Sequence, residues 1–215
     1  YELNSPKDKV VYKGVVLNEM KGEFSNPESC IDRQLAHSLF PSTAYGFESG
    51  GDPKNIPDLT YQDFTEFHRK HYHPSNSRLF LYGDGDTQSY LDFLQEKYLQ
   101  DFGSIDIKTS IAYQRAFRKP KRKPMSYPVS SDESLDKKTY VLLGYKLDKA
   151  VNHEHCLGFS ILSHLLLGSS ASPLRKALIT SELGSEVIGG GFDDNRADTI
   201  FAVGLKGTEP EHENK

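Results

Sequence analysis

The stretch Arg118–Pro128, RKPKRKPMSYP, packs five cations and three prolines into eleven residues and constrains the fold more than any other segment. Proline fixes φ and donates no amide hydrogen, so neither a helix interior nor a central strand runs through it. Together with the polar run up to Lys138 it reads as a linker over 118–138, with folded parts over 1–117 and 139–215. Twelve Phe and twelve Tyr supply enough apolar bulk for cores on both sides of it.

In the first part, Asn26-Pro27-Glu28 sets a cap, an N1 proline and an acid at a helix start. Ile31, Leu35, Ala36 and Leu39 follow at helical spacing until Pro41. Thr60 is placed to cap a second helix carrying Tyr61, Phe64, Phe67, His68 and His71, which Pro74 closes. Ser77–Tyr82 reads as a buried strand, and Tyr90, Phe93, Leu94 and Tyr98 mark a third helix after the Gly83–Gly85 turn.

In the second part, Thr139–Lys146 suits a strand buried on both faces. The spacing then predicts a helix over 152–167 with Phe159, Leu162, Leu165 and Leu166 inward and Gly168 as its stop. Ser172-Pro173 opens another helix through Leu183, closed by Gly184. Val187-Ile188 and Thr199–Lys206 read as strands flanking the turn-rich GGGFDDNRAD. This order of elements predicts an α+β fold, an antiparallel-rich sheet with packed helices, in two partial domains.

Twenty-six Lys and Arg against 30 Asp and Glu leave a net charge of −4, so no global field gathers nucleic acid or anionic membrane. The basic run, lacking interleaved aromatics, reads as a solvated linker rather than a nucleic-acid patch or a localisation signal. No apolar run approaches the ~20 residues that span a bilayer. The cluster from Leu157 to Leu167 is broken by Gly158, Ser160, Ser163 and His164. Cys30 and Cys156 show neither CxxC spacing nor disulfide density, which points to a reducing compartment. The chain starts at Tyr1 without a signal-peptide layout, so an internal segment of a longer protein is expected, with any targeting peptide upstream.

Residue chemistry alone yields few sites. His68, His71 and His73 form HxxHxH, in which His68 and His71 share a helix face; a bare HxxH is a weak zinc signal, and packing among aromatic neighbours is the competing reading. His153-Glu154-His155 sits at a helix start, where positions two apart diverge, so cap and solvated roles are expected. Gly189–Gly191 lacks a following GK[ST], Ser169 and Ser170 lack GxSxG, and Cys156 reads as a small core residue despite its histidine neighbours. Neither HxxEH nor HExxH occurs, so no zinc-peptidase helix lies in this chain.

Tyr12–Gly22, YKGVVLNEMKG, read with SGGDP at 49–53, Leu59-Thr60-Tyr61 and FHRKHYHPSN at 67–76, resembles the pitrilysin-type (M16) zinc peptidases. The likeness is to the branch holding the organellar presequence protease and the falcilysins of malaria parasites. Up to a strand ending in YGD the order is similar to the later part of that family's catalytic domain. LLLGSSASPLRKALITSELG, GGGFDD and FAVGLKG are similar to the start of its second domain. The resemblance therefore implies a catalytic-domain part over 1–117 and a second M16-like domain part over 139–215.

In that family an inverted HxxEH helix supplies two histidine ligands and the base, and a distant glutamate completes the zinc site. The resemblance places that glutamate at Glu19, in NEMKG. Two neutral imidazoles and one carboxylate leave an open position for water. Val10, Val11, Val15 and Val16 favour a strand here, whereas the resemblance implies a helix. The histidines and general base are expected upstream of Tyr1, with no catalytic residue in this chain and no peptidase activity from it alone. For the parent, the resemblance implies a zinc endopeptidase that degrades short unfolded peptides, such as cleaved targeting peptides, in an enclosed chamber. Its implied location is a mitochondrion or plastid, and its partners are peptide substrates and the rest of its own polypeptide, not nucleic acid or membrane. A non-catalytic M16-like core subunit and a truncated interaction protein are the alternatives.

Overall fold

The computed structural model describes residues 5–7 and 9–212. In chain order the elements are α1 (Val15–Glu23), α2 (Pro27–Leu39), α3 (Tyr61–His71), α4 (Thr87–Leu94), β1 (Thr139–Lys149), α5 (His153–Leu167), α6 (Pro173–Thr180), β2 (Glu186–Asp193) and β3 (Asp198–Thr208). They fall into two compact units, one of Tyr1–Lys54 with Ile111–Lys215, the other of Asn55–Ser110. The fold is α+β, mixed helix with an antiparallel sheet, as the order of elements predicts.

The sheet of the first unit runs β1-β3-β2, antiparallel throughout. The apolar run Ile200–Leu205 takes the central strand, where both faces are covered, and Ile200, Ala202, Val203 and Leu205 are buried. Successive side chains alternate between faces. Gly144 and its cross-strand partner Ala202 face α2: a Cβ at Gly144 would collide with Leu35. Leu39, Phe40 and Ile200 form the core there, with Leu35, Tyr45 and Phe117 packed around it. The row Tyr145, Phe201, Phe192 lies on the opposite face, where Phe159 of α5 stacks on Phe192 at 5.8 Å between centroids. Helix, sheet and helix thus form three layers, and a helix from before the basic linker packs on strands that follow it. These spatial units group residues differently from the division expected at 118–138.

Several elements differ from their sequence expectation. Residues 77–82 form no strand, and Leu79 and Phe80 are 62% and 87% exposed. A strand exists only by pairing, and among the described residues no segment pairs with this one. In α5, Leu162 and Leu165 point outward, whereas Cys156 is buried and Phe159, Ser163, Leu166 and Leu167 are half-buried. The helix is apolar nearly all round, so periodicity alone does not set its phase. α6 ends at Thr180 rather than Leu183. Gly189–Gly191 lie inside β2 rather than in the turn, all at positive φ and spanning a register shift between Ile188 and Gly191. Such a bulge needs glycine: at Gly191 a Cβ would strike the Ser163 hydroxyl, which instead accepts the Phe192 amide hydrogen at 3.0 Å.

The second unit is helical. Thr60 and Asp63 form the capping box of α3, and Asp86 caps α4 by accepting from the Ser89 amide at 2.8 Å. α4 runs on into a π-turn over Gln95–Leu99.

Candidate functional site

Glu19 lies on α1, so the valine-rich approach does not continue as a strand through it. Burial of Leu17 and Met20 on one side of the helix overrides the β preference of Val15 and Val16, which remain exposed. Glu19, between the two buried residues, faces solvent. The loop carrying SGGDP packs here: Gly50 sits against Met20, where a Cβ would contact the thioether at 3.0 Å or less. The two motifs NEMKG and SGGDP, 30 residues apart in sequence, are therefore neighbours in space.

Arg33 of α2 fastens this corner. Its guanidinium lies 3.9 Å from the Phe24 ring centroid, donates to the Glu23 carbonyl at 2.8 Å and approaches the Glu48 carboxylate at 3.9 Å. Cys30, buried beside it, donates its thiol to the Phe24 carbonyl at 3.2 Å, the behaviour of a structural cysteine. α1 is thus held by its C-terminal end and its buried face, leaving the carboxylate of Glu19 displayed on a fixed helix.

The histidines of HxxHxH have aromatic partners of their own. His68 stacks on Tyr72 at 4.6 Å, His71 packs against Phe67 at 4.5 Å, and His73 meets Phe102 edge-on at 5.2 Å. His73 Nδ1 also accepts the Ser75 amide at 3.1 Å, so the HxxHxH rings are committed to three different aromatic neighbours. His155 pairs with Asp148 at 2.5 Å while Asn152 bridges to both, a cluster joining the end of β1 to α5 that local sequence did not reveal. The Lys149 amide and the His155 ring hold the Asp148 carboxyl below the usual carboxylate range. Cys156 is buried, with its thiol directed at the Ala150 carbonyl at 3.5 Å. Ser169 takes part in a turn with Ser172.

Among the described residues no group of three or more His, Cys, Asp or Glu is placed to hold a metal ion. Among the described residues Glu19 offers a single carboxylate, and one ligand cannot hold zinc against water. A cleft of about 300 Å³ lies between α5, α6 and β2, lined by Ser163, His164, Arg175, Ile188 and Phe192. Gly190 of the β2 glycine run also lines it, where an added Cβ would meet no atom within 4 Å. No helix among the described residues is long and apolar enough to cross a membrane.

A layered α+β domain that displays one carboxylate on a short, anchored helix is the class that this fold and this surface define. The chain belongs to the M16 peptidase family: the family described as "Peptidase M16 inactive domain" matches residues 58–215. Among its relatives, "Presequence protease 1, chloroplastic/mitochondrial" of Arabidopsis thaliana is 42% identical over all of this chain and 20% of its own length. "Protein HypA" of Clostridium perfringens is 41% identical over 97% of this chain and 21% of its own. "Presequence protease, mitochondrial" of Xenopus laevis is 37% identical over 98% of this chain and 21% of its own. The chain thus spans about one fifth of the length of these relatives. A protease from Helicobacter pylori shares the fold with a TM-score of 0.56 at 18% identity, covering 91% of this chain and 46% of that one.

Proposed function

We propose that this chain is part of a zinc-dependent endopeptidase that degrades short unfolded peptides, such as cleaved targeting peptides, in an enclosed chamber. In this reading 1–117 is the later part of the catalytic domain, 118–138 the linker and 139–215 the start of a second M16-like domain. The observation that carries it is Glu19, a solvent-facing carboxylate on a short helix held by the Met20–Gly50 contact and by Arg33. A ligand on a rigid element keeps its position without the ion's help. In the parent Glu19 is a zinc ligand, and the two histidines and the general base come from an HxxEH helix elsewhere in the polypeptide. When bound, zinc would supply Lewis-acid activation of water. This chain's own part is to hold one carboxylate in place. The relatives named as mitochondrial or chloroplastic presequence proteases support the substrate class and an organellar location.

A second reading, a non-catalytic M16-like core subunit, is favoured by the match to a domain described as inactive. Cleavage of an unfolded peptide by the full-length parent separates the two. The peptidase reading predicts chelator-sensitive turnover by the parent and none by the 215-residue chain with added zinc. A parent without turnover supports the core subunit, and turnover by the chain alone shows that the active site is misplaced.

A further inference from the structure

The basic stretch is a held strap rather than a free tail. At one end the Gln114 amide donates to the buried Asp198 carboxylate at 2.7 Å, its side-chain oxygen accepts the Ser42 amide at 3.1 Å, and Phe117 packs on the Leu39–Phe40–Ile200 core. At the other end the Tyr127 hydroxyl donates to the Lys138 carbonyl, and the ring meets Tyr140 edge-on at 5.6 Å. Every residue from 118 to 126 between these anchors is exposed, and none is in a helix or strand. Pro120 and Pro124 restrict the backbone further, so Arg118, Lys119, Lys121, Arg122 and Lys123 are crowded onto a short, pre-ordered piece of surface. From Ile111 to Ser131 there are six cations and no acid, leaving 20 cations against 30 acids elsewhere in the chain.

We propose that residues 118–123 form a docking strap for an acidic polypeptide segment, a run of Asp and Glu lying extended along it. Charge complementarity sets the sign of the partner, and the surroundings set its kind. The strap has no amphipathic helix to insert into a membrane, since none of its residues is helical. Single-stranded nucleic acid needs aromatic platforms for its bases. The two rings flanking the cations on the N-terminal side are already covered, Phe117 by Lys121 at 4.4 Å and Tyr113 by Lys149 at 4.4 Å. A slender acidic chain needs neither a platform nor a wide cationic face, and the Arg118 guanidinium offers a carboxylate a two-pronged contact. This inference is independent of the peptidase reading.

The test is fluorescence anisotropy of a dye-labelled octaglutamate peptide with the full 215-residue chain, beside a thymidine dodecamer and phosphatidylcholine vesicles containing phosphatidylserine. The strap predicts that the peptide binds in preference to both, and that raising salt from about 50 to about 200 mM weakens it on the order of tenfold. The triple variant R118Q/K119Q/K123Q, which spares the Lys121–Phe117 contact, should lose binding by on the order of tenfold while keeping the circular dichroism of the unsubstituted chain. Salt dependence of the unsubstituted chain is the independent readout should the variant not fold. Absent peptide binding at low salt, binding indifferent to salt or to the substitutions, or a preference for oligonucleotide or vesicle would overturn the proposal.

Discussion

Asp198 is 1% exposed, and its two oxygens take different partners: Lys146 Nζ on β1 at 3.0 Å and the Gln114 amide of the strap at 2.7 Å. Removing the carboxylate would strand a largely buried ammonium and an amide donor. Asp198→Ala is therefore expected to cost about 3 kcal/mol, read as a lower urea midpoint. An unchanged midpoint would mean that water substitutes for the carboxylate. Gly191 carries a backbone constraint instead, with φ of 80° and no room for a Cβ beside Ser163. Gly191→Ala should destabilise by about 1–3 kcal/mol in the same assay. Neither role is legible in the sequence, because Asp198 finds its partners 52 and 84 residues away and the glycine run reads locally as a turn. The proposed role of Glu19 rests only on the longer motif around it, since an exposed helix acid has no signature of its own.

The elements were best foretold where the signal is local. Asn26 accepts the amide hydrogens of Glu28 and Ser29 at 2.9 and 3.1 Å, as the N-P-E pattern implies, and Asn26→Ala should cost about 1 kcal/mol of thermal stability. The same chemistry gives α3 and α4 a pH dependence. Hydrogen bonds from the Thr60 hydroxyl and amide hold Asp63 below the usual carboxylate range, and those from Ser89 do so for Asp86. A carboxyl lowered in the folded state stabilises above its unfolded pKa and loses that contribution as pH falls through the folded one. Helical circular dichroism should therefore decline below about pH 4, and Asp63→Asn with Asp86→Asn should flatten the decline. A steep decline that persists in the double variant would place the acid sensitivity elsewhere. Asp32 acts in the opposite sense, since burial and then Glu28 push its carboxyl up, so acid favours its folded form. The elements whose identity depends on distant neighbours were misread: α5 turned its phase because its apolar surface goes all round, and 77–82 did not pair. Hydrogen exchange should show amides at 79–82 exchanging far faster than those of the β1–β3 ladder. Equal protection would show that this segment is paired in solution.

At the scale of the whole molecule, the α+β class followed from the alternation of helix and strand signals, whereas the sheet order β1-β3-β2 emerges only from the antiparallel pairing of β3 with both neighbours in the structure. What local signals could not convey is that α2, which precedes the basic linker, closes the core of strands that follow it, a long-range contact between Leu35, Leu39 and Gly144. With family membership given by relatives about five times as long, the remaining question is whether the displayed carboxylate serves a metal. Zinc content of the full-length parent, measured by mass spectrometry after extensive dialysis, addresses it directly. The account predicts about one zinc per chain in the parent and a clear loss in Glu19→Gln, which keeps the shape of the side chain and removes its charge. Zinc retained in full by Glu19→Gln would remove Glu19 from the ligand set and contradict the account.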